Sequence, residues 1–365
     1  MEFYYYSLIR EHSLNSYEKV KEYFEKEYSL IFKEDPAIPE LYLITFDDKT
    51  DLTNETVKTI ISNIYEKGTN KVICSSYKLS YDAPGSGTQL AYTNNIDFKN
   101  VKYYKYNDGT LIRRYHYKGN WLISTCKCIN AFNSYWLSMT FGDLFTQTVA
   151  ECNIEFVNED TNFTYLYLLQ HPQNRIVKKY TKPNLVYLGK KHNLQLVLFE
   201  NEELNLNLTF NNMEEINNYI NKLPYDDQAL ILKNNEDRVR IFGTGYMFVK
   251  SIRGNTNSML RRYIEVLNDE QQKNALKAYY SEYGALFVTV ETDILNLAKR
   301  IKAEYINRYI YHNQEHSRYY HEKFERTLKQ LHAQYLRTRK KISLDIVYLK
   351  LTTLPSHVLY WLLGY

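Results

Sequence analysis

Short runs of β-branched and aromatic residues recur along the first 260 residues and are separated by Asn, Gly, Asp or Pro. This pattern is typical of strands. The runs are LYLITF, NKVICSSY, TLIRRYHY, NWLISTC, FTYLYLLQ, LQLVLFE and QALILK. The stretch KGNW between two of them predicts a hairpin, because Gly-Asn can adopt the positive φ that a tight turn requires. Two segments with helical spacing, SYEKVKEYFEKEYSLIF and MEEINNYINKLP, lie among the runs and predict helices.

From residue 261 onward, the hydrophobic positions follow three-and-four spacing without strand-like alternation. The segments are NDEQQKNALKAYYSEYGA, ETDILNLAKRIKAEYINRYIYH, SRYYHEKFERTLKQLHAQYLRTRKK and SLDIVYLKLTTL. This spacing is typical of amphipathic helices. The pattern therefore predicts a mixed α/β domain over residues 1–260 and a helical C-terminal domain over residues 261–365.

Composition places the chain among globular proteins. Its 365 residues are 44% hydrophobic and 24% charged, and this length suffices for one large domain or two ordinary ones. The 37 tyrosines are unusual and have two interpretations. In the first, the tyrosines reflect mutational drift in an AT-rich coding genome, which the abundance of Asn, Lys and Ile also suggests. In the second, they provide an aromatic surface for stacking on bases.

The cysteines and the termini indicate a soluble protein of a reducing compartment. Cys126 and Cys128 are the only close pair, and neither a second pair nor a histidine stands at zinc-ligand spacing. The N-terminal sequence lacks the basic and apolar regions of a signal peptide. The apolar run HVLYWLLGY is too short to span a bilayer. We therefore expect free thiols, a cytoplasmic location and no membrane partner.

Basic residues are concentrated in one part of the chain. The formal net charge is only +4, but residues 299–350 contain 13 Lys and Arg against five Asp and Glu. This segment is either a footprint for a phosphate backbone or a solvated basic helix face. The first interpretation makes Arg337, Arg339, Lys340 and Lys341 candidates for RNA contact. Tyrosines interleave with these charges, namely Tyr305, Tyr309, Tyr311, Tyr319 and Tyr320.

Three stretches carry a recognisable motif order. Residues 105–121 read KYNDGTLIRRYHYKGNW, residues 168–189 read LLQHPQNRIVKKYTKPNLVYLG, and residues 226–255 read DDQALILKNNEDRVRIFGTGYMFVKSIRGN. In this order they resemble the phage-type RNA ligases and their giant-virus relatives, within the covalent nucleotidyltransferase superfamily. The resemblance covers about residues 40–260. It implies an α+β fold, with a nucleotidyltransferase (ATP-grasp-like ligase) domain of two sheets around a cleft and an all-helical C-terminal domain.

The resemblance also implies a chemistry. In these ligases, a lysine in Lys-x-Asp-Gly attacks the α-phosphate of ATP and forms a covalent adenylate, which then passes to the RNA 5′-phosphate. A crowded cationic site makes the lysine amine nucleophilic by lowering its pKa. Carboxylates hold the ribose and Mg²⁺, and basic groups neutralise the triphosphate.

Several chemical positions of this pattern are altered here. With Asp108 and Gly109 as the Asp-Gly pair, the nucleophile position falls on Tyr106, and Lys105 stands one residue too early. A one-residue slip on a strand turns the side chain to the opposite face, although a bulge could rotate Lys105 back. The remaining positions of the pattern fall on Arg113, Leu168, Asp227, Gln228, Arg240 and Phe242. A glutamate is therefore replaced by Leu168, and one lysine of the late Lys-x-Lys by Phe242.

The candidate residues also have plainer interpretations. Asp108-Gly109 is a common turn dipeptide, Asp227 could be a turn acid, and Arg113 and Arg240 could be ordinary surface cations rather than nucleotide ligands. Further cations in the matching stretches are candidates for RNA contact, and they are Arg175, Lys178, Lys179 and Arg253.

Two functional hypotheses follow. The altered motifs favour a degenerate, non-catalytic RNA-ligase-like protein, which keeps binding to RNA or a protein partner as an accessory or structural component and needs no cofactor. The alternative is an active ATP-dependent RNA ligase that uses Lys105, or Tyr106, with ATP and Mg²⁺. The resemblance to giant-virus relatives implies a viral protein of the host cytoplasm or the virion.

Overall fold

The computed structural model describes residues 4–83, 97–98, 100–234, 237–312 and 321–365, with only the backbone described at 81–83 and 321–322. Tyr319 and Tyr320 lie outside the described residues. The contacts divide the chain into two compact units, Met1–Phe248 and Val249–Tyr365.

In the residues that the structure describes, the first unit contains three sheets and a two-stranded hairpin. An N-terminal antiparallel sheet has the order β1-β2-β3-β4, a five-stranded sheet has the order β13-β12-β11-β7-β8, and a four-stranded sheet has the order β5-β15-β14-β6. The strands are β1 Ile31–Glu34, β2 Leu41–Thr45, β3 Ile64–Glu66, β4 Val72–Cys74, β5 Tyr81–Ala83, β6 Lys102–Lys105, β7 Thr110–Tyr117, β8 Asn120–Thr125, β9 Tyr135–Trp136, β10 Met139–Thr140, β11 Phe163–Gln170, β12 Asn184–His192, β13 Leu198–Glu200, β14 Ala229–Asn234 and β15 Asp237–Phe242.

Among the described residues, helices flank these sheets in the first unit and form the secondary structure of the second. In the first unit they are α1 Tyr4–Glu11, α2 Tyr17–Tyr28, α3 Glu55–Ile60, α4 Phe141–Glu151 and α5 Met213–Ile220, while α6 Thr244–Arg253 crosses the boundary between the units. In the second unit they are α7 Met259–Glu265, α8 Glu270–Tyr279, α9 Gly284–Tyr309, α10 His321–Thr338, α11 Leu344–Thr352 and α12 Ser356–Leu363. The α+β class and the helical C-terminal region are confirmed.

Local sequence signals account for most of these elements. Ser16 caps α2 by accepting from the backbone N–H of Lys19, and Ser29 ends the helix with a left-handed φ of 52°. The predicted hairpin joins β7 to β8, but its positive-φ residues are Lys118 and Gly119, one position earlier than the Gly-Asn pair. Two consecutive positive φ values match the twist of the flanking strands.

The five-stranded sheet and the four-stranded sheet β5-β15-β14-β6 each have one face covered by a helix. Leu144 and Phe145 of α4 pack on the five-stranded sheet in a cluster with Ile112, and Ile216 and Ile220 of α5 pack on the four-stranded sheet. The second face of the five-stranded sheet is shared. One part packs against the N-terminal sheet in a cluster of Leu41, Leu43, Ile64, Cys74, Tyr115, Tyr117 and Ile129. The rest faces the four-stranded sheet across a cavity.

Two further observations concern the predicted compartment. All four cysteines are free thiols, and Cys74 is buried while Cys152 is exposed. Among the helices in the described part of the chain, none combines the length and the apolar composition needed to cross a bilayer.

Candidate functional site

A cavity of about 340 Å³ lies between the five-stranded and four-stranded sheets of the first unit. Leu168 of β11 forms the middle of its floor, directly paired with Leu111 of β7 on one side and Val186 of β12 on the other. On the opposite wall, Ile231 of β14 is paired with Tyr104 of β6 and Arg240 of β15. Residues paired in this way share one face of a sheet. The floor is thus aliphatic, and the opposite wall carries the cation of Arg240.

Leu168 occupies the position that the ligase resemblance assigns to a glutamate. Its side chain lies on the cavity floor, so the structure brings this position to the cavity with an aliphatic group in place of a carboxylate. A leucine offers no ligand to a metal ion and no acceptor to a hydroxyl group.

Lys105 is the last residue of β6 and is paired with Leu230 of β14. Leu230 belongs to the core beneath α5, so the side chain of Lys105 starts on the face of β6 that points away from the cavity and reaches only its edge. The β6–β14 register is regular over its four pairs, which contradicts the bulge that could have turned Lys105 inward. The ammonium group instead lies at the rim of the cavity, 2.9 Å from Oδ1 of Asp227.

Asp227 is held by two lysines. Its Oδ1 accepts from Nζ of Lys105 and from Nζ of Lys178. Partial burial raises the pKa of Asp227, but the hydrogen bonds from the two lysines outweigh it and hold the pKa below its usual range. The structure therefore brings three predicted residues together in one ionic cluster, with two cations for one carboxylate.

Tyr106 lines the cavity beside Lys105. Its ring meets Phe242 edge-on at 5.2 Å and Tyr246 at 6.0 Å between ring centroids. Phe242, at the position that the ligase resemblance assigns to a lysine, stacks on Tyr246 at 5.0 Å. The position that the resemblance assigns to the nucleophile therefore lies in an aromatic cluster.

Asp108 is 2% exposed and holds together the turn that precedes β7. Its Oδ2 accepts from the backbone N–H groups of Val177 and Lys178, both at 2.7 Å, and its Oδ1 accepts from the hydroxyl of Tyr246 at 2.5 Å. Burial, together with the charges of Tyr106 and Asp108, raises the pKa of Tyr246. The phenol therefore remains a donor, and Asp108 acts as an anchor between segments distant in sequence.

Gly109 lines the cavity next to this anchor, with a φ of 155°. A Cβ atom here would lie 2.6 Å from the carbonyl oxygen of Leu169 and 2.9 Å from Cγ of Leu168. Only glycine allows β7 to approach β11 this closely at that backbone conformation.

Three arginines that were predicted to contact a nucleotide or RNA are buried. Arg113 is fully buried and donates to the carbonyl oxygen of Thr125 at 2.6 Å and to that of Ser62. Arg175 and Arg253 are each 4% exposed. Arg175 donates to its own loop at Val177, and Arg253 to the turn that follows α6. These guanidinium groups satisfy backbone carbonyls instead of facing a nucleic acid.

A second ionic cluster at the cavity was not predicted from the sequence. The carboxylate of Glu200, only 4% exposed, lies 2.7 Å from Nζ of Lys233 and 3.1 Å from a guanidinium nitrogen of Arg238. Arg238 also covers the ring of Tyr77 at 3.9 Å. The only sequence signal was the charge at the end of the LQLVLFE run, which a strand end commonly carries.

The predicted basic surface of the second unit is exposed. Arg337, Arg339, Lys340 and Lys341 lie at the end of α10 and just after it, all exposed to solvent. No carboxylate of the described residues forms an ion pair with any of the four. Lys179 in the first unit is also exposed.

No family model matches the chain, and no curated protein matches it in sequence. Solved structures resemble it distantly. An archaeal ATP-dependent RNA ligase is 10% identical, with a TM-score of 0.46, over 80% of this chain and 82% of that one. A protein assigned as an ATP-dependent DNA ligase from Aquifex aeolicus is 13% identical, with a TM-score of 0.44, over 78% of this chain and 80% of that one. The assignment of an activity therefore depends on the chain's own residues.

Proposed function

We propose that the chain is an RNA-ligase-like protein that no longer transfers nucleotides and that binds RNA through its basic C-terminal surface. The observation that carries the proposal is the aliphatic floor of the cavity, where Leu168 lies between Leu111 and Val186. The ligase resemblance assigns a glutamate to the position of Leu168. Adenylate transfer depends on carboxylates that hold a metal ion and the ribose.

The residues around the cavity do not fit Mg²⁺. This ion prefers carboxylate oxygens that are free to coordinate it. Glu200 is shared by Lys233 and Arg238, and Asp227 by Lys105 and Lys178. Within the described residues, no group of three metal-ligating side chains exists.

The RNA-binding part of the proposal is supported by the four cations near the end of α10. Exposed cations without a carboxylate partner can each neutralise a backbone phosphate, and binding then releases the counterions of the RNA. Because such contacts are made to phosphates, this surface is expected to bind single-stranded RNA with little sequence preference.

Two measurements test the proposal. Incubation of the full chain with α-labelled ATP and Mg²⁺ or Mn²⁺ should leave no label after denaturing electrophoresis. Retained label that disappears in Lys105→Ala, or in Tyr106→Phe, would overturn the proposal in favour of the active ligase.

RNA binding is tested with a matched pair of variants. Replacement of Arg337, Arg339, Lys340 and Lys341 by Gln should weaken single-stranded RNA binding at least about 10-fold, because four phosphate contacts are lost. The control replaces four exposed lysines of the first unit by Gln, namely Lys19, Lys26, Lys49 and Lys71. Equal losses in both variants, or no RNA binding in the wild type, would leave this surface to a protein partner and contradict the RNA proposal.

A further inference from the structure

The side chains around the cavity carry an excess of positive charge. Among the described residues, five basic residues line it against one acidic residue, Glu200. The basic residues are Lys78, Lys105, Lys127, Arg238 and Arg240. Lys78 is neutralised by Glu55 and Asp237, each at 2.7 Å. The electrostatic field of Lys105 and Arg238, which belong to the two ionic clusters described above, favours an anion in the cavity.

The two ionic clusters explain why this charge is not cancelled. Glu200 is shared by Lys233 and Arg238, and Asp227 is shared by Lys105 and Lys178. Each carboxylate can neutralise only one of its two cations, so each cluster keeps a net charge of about +1. Both clusters border the cavity through Glu200, Arg238 and Lys105.

The floor restricts what kind of anion can bind. Leu111, Leu168, Val186 and Leu188 present only hydrocarbon to the cavity. Sugar hydroxyls placed on this floor would lose their hydrogen bonds to water without replacement, which is costly. An apolar body placed there would gain by leaving water.

We propose that this cavity binds a small organic acid with an apolar body and one anionic group, the body lying on Leu168 and its neighbours and the anionic group facing Arg240 and Arg238. This inference rests on the proposed loss of nucleotidyl transfer and specifies the ligand class of the same cavity. At about 340 Å³ the cavity is near the lower end of small-molecule pockets, which span roughly 300–1,000 Å³. The body is therefore about the size of a bicyclic ring.

Calorimetric titration of the full chain with naphthalene-1-sulfonate tests the inference. We expect binding at one site, with the neutral alcohol naphthalene-1-methanol at least about 10-fold weaker because it lacks the charge-assisted contact. Arg240→Gln should weaken the sulfonate about 10-fold and leave the alcohol unchanged.

Two variants of Leu168 distinguish a loss of binding caused by a carboxylate on the floor from a loss caused by a changed fold. Leu168→Glu puts a carboxylate on the floor and should abolish sulfonate binding, whereas Leu168→Met keeps the floor apolar at similar volume and should retain it. A further readout uses Cys126, which lines the cavity, with the exposed Cys152 as an internal reference. The sulfonate should slow alkylation of Cys126 and leave Cys152 unaffected.

Several results would overturn the inference. They are equal binding of the alcohol and the sulfonate, unchanged binding in Leu168→Glu, or tighter binding of Mg-ATP than of the sulfonate. Covalent labelling by ATP would overturn the proposed function. Failure of the sulfonate to bind a protein that takes no label would overturn this inference alone.

Discussion

Asp227 shows how a single carboxylate near the cavity depends on its partners. It is 29% exposed and accepts from both Lys105 and Lys178, which hold its pKa below the usual value despite partial burial. Because the folded pKa is lower than the unfolded value of about 3.9, the carboxylate stabilises the fold above that pH. This stabilisation is lost as the pH falls through the folded pKa.

We therefore predict that Asp227→Asn lowers the free energy of unfolding by about 1 kcal/mol at pH 7, a modest value because solvent screens the pair. The difference from the wild type should stay constant down to about pH 5 and shrink below about pH 4. Urea unfolding across this range measures it. The neighbouring Asp226→Asn is the control, and a similar pH-dependent loss there would contradict the role of the two lysines.

At the residue scale, the spacing of the sequence motifs indicated which residues lie near the cavity better than it indicated what their side chains contact. The ligase resemblance assigns an altered position to Leu168, and in the structure this residue lies on the cavity floor. It could not show that Arg113 and Arg175 are buried, because a guanidinium on a strand or in a loop can equally face a ligand or a backbone carbonyl. The anchoring role of Asp108 was also hidden, since its partners Val177 and Tyr246 are distant in sequence.

At the element scale, the pairing of β7 with β11 depends on Gly109. We predict that Gly109→Ala destabilises the protein by about 3 kcal/mol or more, because the new Cβ would clash with the carbonyl of Leu169 and strain the backbone. Thermal and urea unfolding measure the loss.

Gly119 provides the matched control for this prediction. It also has a positive φ, 83°, but nothing lies within 4 Å of a Cβ placed there. Gly119→Ala should therefore cost only the backbone strain, about 1–2 kcal/mol. Equal losses in the two variants would show that close approach to β11 is unimportant.

Elements with strong local signals were predicted well. The runs FTYLYLLQ and TLIRRYHY correspond to β11 and β7 over their full lengths. Helix α6 was not predicted; its start lies between Gly243 and Gly245, and glycine has a low helix propensity. In the structure, Gln228 packs against both glycines, and its side-chain oxygen accepts from the backbone N–H of Gly245 at 2.8 Å. A cap supplied from a distant residue leaves no local signal.

At the scale of the whole molecule, RNA affinity should depend on salt through the basic surface of the second unit. For single strands, the slope of log affinity against log salt is about −0.7 per neutralised phosphate. Replacing Arg337, Arg339, Lys340 and Lys341 by Gln should therefore make the slope less steep by about 3. Fluorescence anisotropy with a labelled RNA at several salt concentrations measures it. An unchanged slope would place the phosphate contacts elsewhere.

The buried guanidinium of Arg113 has a consequence for the inheritance of this fold. It joins the carbonyl of Ser62, before β3, to that of Thr125, at the end of β8. If the N-terminal sheet were removed, Arg113 would lose the acceptor on Ser62, and Tyr115, Tyr117 and Ile129, which pack against that sheet, would be exposed to water. Recombination or gene fusion that separates the N-terminal sheet from the five-stranded sheet would therefore produce a poorly folded protein. The coding sequences of the N-terminal sheet and of the cavity are thus expected to be inherited together.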